Sequence, residues 1–156
     1  MHLQGEHTFT ARQPHVWELL NDSGVLARIT PGLSELEADG DDSYRARFAI
    51  KMGPINSTFS GTLRVVDRVA PERFRLLVEI AGKAGTVAAE ATVAAQSTTG
   101  DGPEHTRVTF SADARLTGLL VRMGQRVLSG VGRLLTKQFF QALEQEIGQS
   151  PARESA

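Results

Sequence analysis

The sequence predicts an α+β domain: a curved antiparallel sheet of about six to seven strands wrapped around one long C-terminal helix, with two short helices after the first strand. Three observations predict it. Apolar residues alternate with period two from Leu33 to Ala114, the pattern of strands with one buried face. The turns between these runs are too short for crossover connections, so neighbouring strands must be antiparallel. After Leu116 the period returns to 3.6, giving the sheet's apolar face its only long amphipathic partner.

Each element has its own signal. His2 to Thr10 is a first strand with Leu3, Gly5, His7 and Phe9 on one face. "RQPHVWELLND" opens a helix with Pro14 in its first turn, where a missing N–H is tolerated, and "SGVLARI" forms a second helical piece that stops at Pro31-Gly32. Along the meander, Tyr44, Ala46, Phe48, Ile50 and Met52 share a face. So do Ile55, Phe59, Leu63 and Val65; Phe74, Leu76, Val78 and Ile80; Val87, Ala89, Ala91 and Val93; and Val108, Phe110, Ala112 and Ala114. Turns fall at "ADGDD", "MGP", "VAPER" and "TTGDGPEH". In the closing helix Leu116, Leu120, Met123, Val127, Val131, Leu134, Leu135, Gln138 and Ala142 form the apolar stripe. Residues 1–147 are expected to make one domain and 148–156 a disordered polar tail.

Composition narrows the function. With 156 residues, 40% of them hydrophobic, the chain can build one core. A net charge of −1 excludes a general nucleic-acid binder, which needs a basic surface. The charge is uneven, however: acids crowd the first third, while Ala114 to Leu143 carries only basic residues. With no cysteine there is neither a disulfide framework nor a thiolate nucleophile. The start, "MHLQGEHTFT", is not a signal peptide, and no apolar run is long enough to span a bilayer. A cytoplasmic protein is expected, with any membrane contact peripheral, at the inner face.

Strand, two short helices, meander and long helix is the order of the helix-grip fold of START-like (SRPBCC) proteins. Within that superfamily "VWELLNDSGVLARITPGLSEL" (16–36) and "KMGPINSTFSGTLRVVD" (51–67) resemble the two hallmark stretches of the carbon monoxide dehydrogenase G-subunit family, and "TGLLVRMGQRVLSGVGRLLTKQFFQALEQEI" extends the likeness more weakly over nearly the whole chain. The resemblance implies a non-catalytic accessory protein of molybdenum-containing CO dehydrogenases and related hydroxylases, holding a hydrophobic small molecule, a respiratory quinone or lipid, and working between enzyme and membrane. It implies no cofactor beyond such cargo. Leu33 stands where many relatives have Cys, and the membrane-attachment segment some relatives carry after the last helix is missing. On the same fold, an aromatase or cyclase and a ligand-free assembly factor are the alternatives.

The residues themselves allow a cavity. The strand Thr86 to Ala95 is mostly alanine, and Gly124, Gly130 and Gly132 would sit inside the closing helix at a combined cost of roughly 3 kcal/mol. Such small residues serve either close helix-to-sheet contact or room for a ligand. The expected walls are Phe48, Ile50, Met52, Phe59, Leu63, Leu76 and Val78 from the sheet and Met123, Val127 and Val131 from the helix. The apolar Met52–Ile55 turn would form a rim at the mouth, with Ile55 meeting the ligand. Arg122, Arg126, Arg133 and Lys137 fall within about a 60° sector of the helix, with Phe140 beside them as an exposed aromatic, a pattern suited to anionic headgroups or an acidic partner. The four histidines lack metal-ligand spacing, and no phosphate loop or nucleophile elbow occurs. No catalytic or metal residue is assigned. The polar groups expected nearest the interior are His7, Tyr44 and Ser57, and Glu90 is expected in solvent.

Overall fold

The structure is a computed structural model and describes residues 1–98 and 104–149. In chain order the elements are β1 (His2–Phe9), α1 (Gln13–Leu20), α2 (Ser23–Ile29), β2 (Leu33–Ala38), β3 (Ser43–Met52), β4 (Ile55–Val69), β5 (Arg73–Gly82), β6 (Gly85–Ser97), β7 (Thr106–Leu116), α3 (Leu119–Arg122) and α4 (Gln125–Gln149). The strands form one antiparallel sheet in the order β1-β7-β6-β5-β4-β3-β2. β1 and β2 are its two edges, so α1 and α2 carry the chain across the concave side between them. The sheet curls over α4. Gly61 and Gly82 sit where β4 and β5 close on each other: a Cβ at Gly61 would collide with the Glu79 carbonyl, and one at Gly82 with that of Thr58.

The sheet has two unlike ends. At one, which we call the closed end, lie Phe9 at the end of β1, Phe74 at the start of β5, Val93 and Ala95 late in β6 and Val108 early in β7. All are at most 1% exposed. α1 packs here, its Trp17 edge-on to Phe74 with centroids 5.7 Å apart and its Gln13 Nε2 donating to the Ala95 carbonyl at 2.8 Å. Asp22 caps α2, accepting from the Gly24 and Val25 N–H groups. Arg28 of α2 then clasps Glu146 of α4, Nε to Oε2 at 3.0 Å and an η nitrogen to Oε1 at 2.9 Å. At the other, open end lie the Met52–Ile55 and Gly82–Gly85 turns, the start of β1 and the end of β7.

One continuous helix after Leu116 is not what forms. Leu116 ends β7, Gly118 and Gly124 take left-handed backbone conformations (φ 74° and 85°), and between them α3 makes a single turn. Its Leu120 N–H donates to the Ala84 carbonyl at 2.9 Å, tying it to the β5–β6 turn. Because the helical phase starts again at Gln125, the stripe counted from Leu116 is out of step. The inward side of α4 carries Leu128, Gly132, Phe140, Leu143 and Glu146, whereas Val127 and Leu134 face solvent. α4 also runs to Gln149, past the expected boundary at 147; the tail from 150 onward lies outside the described residues.

Candidate functional site

Between the sheet and α4 is a cavity of about 320 Å³ that reaches from the open end as far in as Phe74 and Val93. Its origin is in the side chains. Ala89 and Ala91 of β6 stand directly opposite Ala114 and Ala112 of β7, and all four point to the concave side. In the adjacent register positions larger residues fill the same layer: Val93 meets Phe110 and Val87 meets Leu116. The missing volume of two alanine pairs is therefore not made up from above, where α4 presents Val131, Leu135 and Phe139 across the gap. Leu26 of α2 and Thr30 just after it close the side, and Leu120 of α3 closes the mouth.

The lining is almost wholly hydrocarbon. Among the described residues Thr30 and Thr136 bring its only side-chain hydroxyls, and that of Thr136 is already used, donating to the Gly132 carbonyl at 2.9 Å. No ionisable side chain borders the cavity among the described residues. Such a lining suits an apolar body. No three metal-ligating side chains converge anywhere among the described residues.

Eight of the eleven residues expected to line the site border this cavity: Phe48, Ile50, Ile55, Phe59, Leu63, Leu76, Val78 and Val131. Three do not. Val127 is 38% exposed on the outer side of α4, Met123 lies in the break before that helix, and Met52, at the end of β3 opposite Ile55, stays outside the lining. Ile55 is not an exposed rim: at 5% exposure it is packed inside the hairpin, while Gly53 and Pro54 alone face out. The helix glycines resolve in three ways. Gly124 breaks the helix, Gly132 lets Leu3 of β1 approach where a Cβ would overlap it, and Gly130 is bordered by nothing closer than 4.0 Å. Gly5 performs the reciprocal service, since a Cβ there would stand 2.9 Å from Thr136.

Phe140 also moves. Through the space left by Gly5, β1 covers this flank of α4, so Phe140 is 8% exposed, stacks with His7 at 6.0 Å and meets Phe139 edge-on at 5.5 Å. It belongs to the core and not to the basic surface. Arg122, Arg126, Arg133 and Lys137 are exposed, and none has an ion-pair partner among the described residues. His7, Tyr44 and Ser57 do not reach the cavity. Glu90 is in solvent, paired with Arg75 at 3.0 Å. Two features had no signal in the pattern: the Arg28–Glu146 clasp, which spans 118 positions, and His15, buried in α1 with its Nε2 unpartnered. Arg28 donates two hydrogen bonds to the Glu146 carboxyl and thereby holds it below the ordinary carboxylate range.

A curled antiparallel sheet gripping a C-terminal helix over an apolar cavity defines a START-like helix-grip protein. Solved structures agree on that fold. A conserved protein from Geobacillus kaustophilus superposes with a TM-score of 0.90 at 29% identity, over 96% of this chain and 97% of that one. The Zhui aromatase/cyclase from a Streptomyces species gives 0.73 at 14% identity, over 99% and 97%. A START superfamily protein from Mycobacterium smegmatis gives 0.72 at 12%, over 95% and 97%. No curated protein matches by sequence. The family model for the carbon monoxide dehydrogenase G subunit (CoxG) matches residues 5–148, and the chain belongs to that family.

Proposed function

We propose that the protein carries a hydrophobic small molecule, a respiratory quinone or a lipid, in the cavity between sheet and α4, and that it serves a molybdenum-containing CO dehydrogenase-type hydroxylase without performing chemistry itself. The observation that carries this reading is the cavity: about 320 Å³, with two threonine hydroxyls as its only polar side-chain groups among the described residues. An apolar space of this size left unfilled forfeits the contacts its lining side chains would otherwise make. Occupation by a hydrocarbon body restores the lost contacts. Membership of the CoxG family supports the hydroxylase as the partner. The unpaired basic residues of α3 and α4 support peripheral contact with an anionic membrane; among the described residues no helix is long and apolar enough to cross one.

The likeness to an aromatase/cyclase favours a second reading, an enzyme on the same scaffold. The lining argues against it, because acid–base catalysis needs a titratable group within hydrogen-bond reach of the substrate. A third reading, a ligand-free assembly factor, leaves the alanine pairs without a purpose. The test is mass spectrometry of an organic extract from detergent-free protein expressed in a quinone-producing host. One equivalent of quinone or lipid is expected. An empty extract, repeated after incubation with quinone-loaded vesicles, would overturn the carrier reading.

A further inference from the structure

We infer that the open end docks on anionic bilayers tip-first, with Leu119 and Val121 of α3 entering the acyl region and Lys51, Lys83, Arg122 and Arg126 on the headgroups. The two aliphatic side chains are 53% and 57% exposed, more than any other large hydrophobic residue among those described. Between them Leu120 points the other way, 3% exposed and lining the cavity. One turn of helix thus separates the ligand space from the outside, with its inner side on the cargo and its outer side apolar. Exposed aliphatic residues rimmed by unpaired cations suit the boundary between headgroups and acyl chains.

Charge selects the occupant. The β3–β4 and β5–β6 turns bring Lys51 and Lys83 to the same end as α3, and no acidic residue occurs between Ala114 and Leu143. The nearest acids on the neighbouring strands, Glu79 and Asp113, lie back from the tip on the convex face, and Asp113 is bonded to His2 at 2.8 Å. Asp39, Asp41, Asp42, Asp67 and Glu72 gather instead at the turns of the closed end. Near a negatively charged surface this separation turns the open end toward the lipid. The inference deepens the carrier reading and takes its purpose from it, since a mouth on the bilayer lets cargo pass without crossing water.

The experiment is co-sedimentation with phosphatidylcholine vesicles, with and without phosphatidylglycerol. Leu119→Ser/Val121→Ser and Arg122→Glu/Arg126→Glu are compared with Val69→Ser/Arg73→Glu, an exposed control at the closed end. The two tip variants should each lose at least tenfold in binding to anionic vesicles while melting like wild type. The control should bind as wild type does. Unchanged binding of the tip variants, or an equal loss in the control, overturns tip-first docking. So does a wild-type protein that ignores anionic vesicles. Binding of a short-chain quinone from vesicle-free solution is measured in parallel: its absence in wild type sinks the carrier reading alone, whereas its retention in the tip variants assigns their defect to docking.

Discussion

The closed and open ends of this sheet are built from the same strands and the same alternation, yet one is sealed from solvent and the other is not. On β6 the contrast falls within six residues of a single face. Val93 is 1% exposed between Phe74 and Phe110, while Val87 is half-buried between Ile80 and Leu116. Between them stand Ala89 and Ala91, and from there toward the mouth the layer is incomplete. The closed end also has α1 and α2 over it and the Arg28–Glu146 clasp across it. Stability should therefore reside at one end and ligand capacity at the other, a division that keeps an empty cavity from threatening the fold.

The largest expected effect tests the closed end. Phe74→Ala should cost about 3–5 kcal/mol, the usual range for removing a buried aromatic. At about 2–4 °C per kcal/mol for a chain of this size, the melting temperature should fall by more than about 6 °C. A smaller fall would mean the closed end is as loosely filled as the open one. The same truncation applied to two valines on one face sharpens the contrast. Val93→Ala should cost about 2 kcal/mol because a side chain fully withdrawn from water is lost, and Val87→Ala no more than about 1, because Val87 is already partly exposed. Equal losses measured by denaturant titration would erase the distinction between the ends.

Filling the cavity acts in the opposite direction. Ala89→Leu would cost about 1–3 kcal/mol in a packed core. Here it should change stability by less than about 1 kcal/mol, since the added methyl groups enter existing space, and bound hydrophobic ligand should drop at least tenfold. Strong destabilisation without loss of ligand would show that the alanines serve packing alone.

How much of this was legible beforehand depends on which signal each element used. Strand faces were readable because period two is local; β3, β5, β6 and β7 pair without a slip from end to end, while β2 slips between Leu33 and Glu35 and β4 between Val66 and Val69. The cavity was half legible: the alanines of β6 announced it, but the opposing alanines of β7 count only once the register is known. The α4 stripe was misread because Gly118 and Gly124 reset the helical phase, so Val127 and Phe140 changed sides. The cue was present in the sequence as two glycines six residues apart, bracketing "LLVRM". Ile55 was misjudged because an apolar hairpin can turn a side chain either way. Partners such as Arg28 and Glu146, 118 positions apart, follow only from the assembled fold.

The smallest expected effect concerns that clasp and is readable in its pH dependence. Arg28 holds the Glu146 carboxyl below its ordinary range, so the folded state binds the proton less readily than the unfolded one. The pair's contribution is accordingly full above the ordinary carboxylate pKa of about 4.3 and is lost as pH falls through the lower folded value. Glu146→Gln keeps the shape and removes the charge. It should melt a few degrees lower than wild type at pH 7, and the two curves should converge as pH falls from about 5 toward 3. Convergence would tie the closed end's helices together through charge. A gap that stays constant with pH would instead assign the residue's effect to packing, since Glu146 is only 8% exposed.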